Sequence, residues 1–93
     1  MEVVMKAVVS VIGRDSVGII AKVSAGCADF GANILDISQT VLHEYFTMIM
    51  IVDIDSLNRP FNEFVDYMSV RGKTDGLDIH VMHEDIFNSM HRI

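Results

Sequence analysis

The chain has a single cysteine, Cys27, a single proline, Pro60, and no tryptophan. One thiol excludes an intramolecular disulfide framework, which fits a reducing cytoplasm. Basic residues are few: 7 Lys and Arg stand against 13 Asp and Glu, for a formal charge of −6. That balance disfavours direct contact with phosphate backbones or anionic lipid head groups. No apolar run reaches the length of a transmembrane helix, and the start, MEVVMKAVVSVIGRD, lacks the basic region and cleavage site of a signal peptide. Neither nucleic acid nor membrane is therefore an expected partner.

Apolar residues are abundant, at 51% of a chain of 93 residues. That is more than a small solitary domain usually buries, so an extra buried surface is expected. The length suits one domain spanning 1–93, with a core over 3–83 and a helical tail over 84–93. No low-complexity stretch or linker divides it.

Residues 3–12, VVMKAVVSVI, read as a strand ending at Gly13. Ile19, Ile20, Val23, Cys27 and Phe30 then recur at helical spacing, with Asp15 or Ser16 as a cap and Gly31 as a left-handed terminator. In NILDISQTVL, residues 33–42, Leu35, Ile37 and Val41 alternate with Asp36, Ser38 and Thr40, which predicts a half-buried strand. His43 and Glu44 separate it from YFTMIMIVDI, so the two form a hairpin. Pro60 suits a first helical position, Phe61, Phe64, Val65 and Met68 follow at helical offsets, and Gly72 closes that second helix. LDIHVMH reads as a fourth strand and EDIFNSMHRI as a short helix with Ile86, Phe87, Met90 and Ile93 along one side.

The order βαββαβ with right-handed crossovers predicts an α+β, ferredoxin-like sandwich: a four-stranded antiparallel sheet with two helices on one face and a short C-terminal helix beyond. The opposite face should then be polar, yet Ile49 and Ile51 oppose Met48 and Met50, and the first strand is apolar on both sides. An identical chain or the apolar tail is expected to cover it.

The stretch Gly13-Arg14-Asp15-Ser16-Val17-Gly18-Ile19 leads from a strand into a helix whose first amides are unpaired. N–H groups near Val17, Gly18 and Ile19 could hold a carboxylate, Asp15 could meet an ammonium, and Asn33 offers a donor and an acceptor. Together these suit the two ends of a free amino acid. The structural alternative makes Asp15 or Ser16 a helix cap, Gly18 a packing device and Asn33 a turn residue. Gly13 and Gly18 have phosphate-loop spacing, but Ile19 and Ile20 stand where Lys and Ser/Thr are required. His80, His83 and Glu84 are close in sequence, but the two histidines face opposite sides of a strand, so no metal site is assigned. Cys27 and the seven methionines read as core filling. No acid, base or nucleophile has an evident orienting group, so no catalytic residue and no cofactor are expected.

Asp15-x-x-Gly18-Ile19, the helix to Gly31 and then Asn33-Ile34 opening the next strand resemble the ACT domain family. The second strand, Asp36 to Leu42, and the segment Glu44 to Met48 are similar to those of single-domain ACT proteins related to the glycine-cleavage regulator. The resemblance covers residues 3–83. It implies a regulatory module whose effector, an amino acid, sits at a homodimer interface between the strand-to-helix loop of one chain and the second strand of another. Roles for Asp15, Ser16, Val17, Gly18 and Ile19, and for the stretch Asn33 to Ile37, in it Asn33, Ile34 and Asp36 above all, follow from it, with output through a protein partner or a change of assembly. Serine-binding relatives carry Asn-x-Pro-Gly where this chain has Asp15-Ser16-Val17-Gly18, an acid in place of an amide. The alternative is an oligomerisation or protein-interaction module with no ligand.

Overall fold

The computed structural model describes residues 5–14 and 18–90. The elements are β1 (Lys6–Gly13), α1 (Ile19–Asp29), β2 (Asn33–Leu42), β3 (Tyr45–Asp53), α2 (Phe61–Asp75), β4 (Asp78–His83) and α3 (Glu84–Met90). All strand pairs are antiparallel, in the order β2-β3-β1-β4. This is the ferredoxin-like arrangement, and it follows from two βαβ units whose right-handed crossovers interleave their strands.

One face of the sheet carries the core. Ala7, Val9 and Val11 of β1, Met48, Met50 and Val52 of β3 and Ile79 of β4 meet Ile19, Val23 and Cys27 of α1 and Phe64 and Met68 of α2. The alternate residues form the open face in three cross-strand rows. These are Asp36–Ile51–Val8–Met82, Ser38–Ile49–Ser10–His80 and Thr40–Thr47–Ile12–Asp78. Ile12, Ile49 and Ile51 are exposed there, as the doubly apolar strand pattern requires. The tail claims only part of this face: α3 follows β4 directly and packs against β1 and β4.

Several local expectations change. The cap position of α1 is Gly18, at φ 74°, and no described side chain caps it; Asp15 and Ser16, the expected caps, lie outside the described residues. An alanine Cβ at position 18 would have only the end of Lys22 near it, at 4.0 Å, so the glycine answers a backbone angle and not tight packing. Ile20 falls on the apolar stripe yet is 39% exposed, because the outer strand leaves that flank of α1 uncovered. Pro60 is the residue before α2 and not its first helical one. Gly72 does not close α2: the helix runs another turn, to Asp75, and Gly76 ends it at φ 73°.

The second strand is not half-buried. Every residue of β2 except Ile34 is exposed, because β2 is an edge strand and α1 stands clear of its outer half. A bulge between Ile34 and Asp36 also takes Leu35 out of the alternation, leaving Ile37, Gln39 and Val41 on the helix side. The loop after β3 anchors the far end of α1. Asn58 Nδ2 donates to the Asp29 carbonyl at 3.0 Å, Asn58 N to that of Phe30 at 3.0 Å, and Ser56 Oγ to that of Gly31 at 2.9 Å. These donors satisfy carbonyls that the end of a helix leaves free.

Candidate functional site

The strand-to-helix junction and the exposed edge meet at one end of the sheet. Gly13 pairs with Phe46, Val41 pairs with Phe46, and Leu42 pairs with Tyr45, so the start of α1 and the end of β2 are neighbours across β3. Between them runs a groove of about 550 Å³ lined by Ile20, Gln39, Thr40, Val41 and Phe46. Its volume lies within the range of small-molecule sites, roughly 300 to 1,000 Å³.

The polar character of this end comes from the backbone. The first intrahelical bond of α1 is Lys22 N to Gly18 O at 3.0 Å, so the amides of Ile19, Ile20 and Ala21 precede the helical ladder. They carry the positive end of the helix dipole. Arg14 is exposed at the same end, its guanidinium 5.8 Å from the centre of the Tyr45 ring. Lys22 is turned away toward Asp75, at 3.7 Å.

Of the residues singled out in the sequence, Asp15, Ser16 and Val17 lie outside the described residues. Gly18 and Ile19 stand at the start of α1. Ile19 is only 3% exposed, so its contribution to a ligand is a backbone amide. Asn33 lies at the other end of the sheet, where it pairs with Asp53, and Ile34 beside it pairs with Val52. The eight residue-to-residue steps from Asn33 to Val41 correspond to about 27 Å of strand. Within one chain, then, Asn33 and the start of α1 do not form a common site. Asp36 is exposed on the open face, and its Oδ1 accepts the Ile37 amide at 2.9 Å.

Ile20, Gln39, Val41 and Phe46 were not legible as groove residues. Their pattern reads as ordinary amphipathic structure, and only the edge position of β2 leaves Ile20, Gln39 and Val41 uncovered beside the buried Phe46. Cys27 is fully buried, and burial pushes its thiol up from 9.0 to about 11, which suits a packing role and not a nucleophile. Among the described residues, no group of three His, Cys, Asp or Glu is placed to hold a metal. His80 lies on the open face and His83 on the helix side, as their spacing predicts. No described helix is long and apolar enough to cross a membrane.

The chain matches the ACT domain family over residues 6–81. A UPF0237 protein of Clostridium acetobutylicum is 48% identical over 89 residues, covering 96% of this chain and all of that protein. An ACT domain protein from Streptococcus pneumoniae has the same fold with a TM-score of 0.81 and 40% identity, over 96% of this chain and all of the other. A proposed glycine cleavage system transcriptional repressor superposes with a TM-score of 0.70 at 21% identity, over 88% of this chain and 47% of its own, a likeness of fold alone. With a family match across nearly the whole sheet and full-length relatives near one-half identity, this chain belongs to the ACT domain family, a regulatory, ligand-binding type of module, and within it to the UPF0237 proteins.

Proposed function

We propose that the chain is one non-enzymatic ACT unit that works in the cytoplasm and senses a small amino acid at an interface between two copies of itself. The observation that carries this reading is the uncovered edge: β2 exposes Ile37, Val41 and Leu42 alongside the groove at the start of α1. Two β2 edges paired about a two-fold axis perpendicular to the strands run antiparallel. That pairing sets the Asn33 end of one chain against the Val41 end of the other, and so joins the two halves of a site that one chain keeps apart.

In such a site the free amides of α1, with Arg14 nearby, receive a carboxylate. Asp15 meets the ammonium, and Asn33, Ile34 and Asp36 of the second chain close the pocket. Binding favours one arrangement of subunits over another, and a protein partner reads the change. The apolar open face favours a second reading, an interaction module without a ligand, through Ile49 and Ile51.

The test combines thermal unfolding with sedimentation. An amino acid at one hundred times its dissociation constant adds about 2.7 kcal/mol, and raises the midpoint of a domain of this size by roughly 10 to 20 °C. Val41→Glu, a change at an exposed position, is expected to yield a folded monomer that no longer responds. A panel of twenty amino acids with no saturable effect on the wild-type chain would transfer the proposal to the interaction module.

A further inference from the structure

The open face carries a second concavity, centred on β1 and β4 and bounded on the β2 side by Ile49. Val8 is only 7% exposed, yet it lies outside the core cluster, so its cover comes from the open side. Among the described elements α3 lies on that side, beginning at the residue after β4, with the Asp85 amide donating to His83 Nδ1 at 3.1 Å across the bend. Beneath this roof lies a cavity of about 350 Å³ lined by Val8, Ser10, Ile49, His80, Met82 and Phe87.

The lining divides into two parts. Val8, Ile49, Met82 and Phe87 are apolar, while Ser10 and His80 face each other as direct partners in the β1–β4 ladder. His80 Nε2 lies 2.9 Å from Asp78 Oδ1, which orients the ring. With that nitrogen engaged by the carboxylate, Nδ1 is the ring nitrogen left to meet a ligand, and the Ser10 hydroxyl both donates and accepts. A single hydroxyl on a ligand can therefore give to one and take from the other. Among the described residues no lysine or arginine lines the cavity, and Asp78 adds an anion beside it, so a carboxylate is poorly matched there. As for size, a cavity of about 150 Å³ takes benzene, so this one takes roughly two fused rings.

We infer that the open face holds a ligand site under α3 for a small, uncharged, mainly apolar molecule of two-ring size bearing one hydroxyl. The site shares the open face with Asp36 but is lined by β1, β3, β4 and α3, whereas the amino-acid site proposed above centres on the start of α1, and the two accept different chemistry.

The experiment titrates 2-naphthol into the full chain carrying labelled methyl groups. Saturable shifts are expected at Val8, Ile49 and Met82. Ser10→Ala is expected to weaken binding about fivefold, the loss of one neutral hydrogen bond. The carboxylate analogue 2-naphthoate should bind roughly tenfold more weakly, since it brings an unpaired charge to an apolar lining. Ile49→Trp fills the mouth from an exposed position and should abolish the shifts while leaving the thermal midpoint in place. The inference is overturned by absence of saturation, by undiminished binding in Ile49→Trp, or by shifts centred on Ile20 and Val41. It is equally overturned if these methyls shift with protein concentration when no probe is present, which would make this face a contact between copies.

Discussion

Gly72 sits inside α2, buried where that helix runs close to the entry of β4. A Cβ built there would lie 2.8 Å from the Leu77 carbonyl oxygen, 2.9 Å from Ile79 Cγ1 and 3.2 Å from Ile79 Cβ. The two backbones are also locked together, since the Leu77 amide donates to the Gly72 carbonyl at 2.7 Å. Replacing the glycine with alanine favours the helix by about 1 kcal/mol. Against that, overpacking costs about 1 to 3 kcal/mol, and the upper part of the range applies because one neighbour is backbone and the other a stiff β-branched side chain. Gly72→Ala is thus expected to lose a net of about 1 to 2 kcal/mol, or roughly 5 to 15 °C in thermal midpoint for a domain of this size. Gly76 is the control. It has nothing within 4 Å but holds φ 73°, so its substitutions cost only backbone strain. Gly76→Ala should lose about 1 kcal/mol and Gly76→Asn less, because asparagine tolerates the left-handed region; Gly72→Asn should be worse than Gly72→Ala. Urea unfolding of the four variants reads this order directly. A Gly72→Ala protein as stable as wild type would refute the close-approach argument.

Three further outcomes follow from two groups away from the proposed sites, Cys27 and Asn58. Cys27, with its thiol raised by burial to about 11, should resist a thiol reagent at pH 8 in the folded chain and react fully once urea unfolds it. Because the folded state holds this proton more tightly, the group should leave stability unchanged below pH 9 and lower it as pH rises from 9 toward 11, measurable as a falling urea midpoint. Asn58→Ala removes the side-chain donor to the Asp29 carbonyl and should cost about 1 kcal/mol, with faster amide exchange in the last turn of α1 as its local signature.

The element order was legible in the sequence because each element carries its own local pattern. A run rich in valine that ends at Gly13 is enough to mark β1, and the four-residue recurrence through Ile19, Val23 and Cys27 marks α1. These are local properties, and together with crossover handedness they fix the sheet order. The apolar second face was legible for the same reason, from Ile49 and Ile51 set between Met48 and Met50. The family resemblance in Asp15 to Ile19 and Asn33-Ile34 was legible as well, since short motifs in fixed order survive without any structure.

Tertiary structure alone decided what lies beside what. Gly72 looked like a helix end because a glycine after an amphipathic run usually is one, and only the approach of Leu77 and Ile79 shows it to be a point of close packing. The exposure of β2 depends on its place at the sheet edge, and its alternation is the same as that of a covered strand. Asn33 follows the start of α1 by only one helix along the chain, yet that helix holds them at opposite ends of the sheet. The groove of Ile20 and Val41 and the cavity under Phe87 are likewise properties of elements brought together from distant parts of the chain. Periodicity specifies which face of an element is apolar; which neighbour covers that face depends on packing between elements, and no local pattern encodes it.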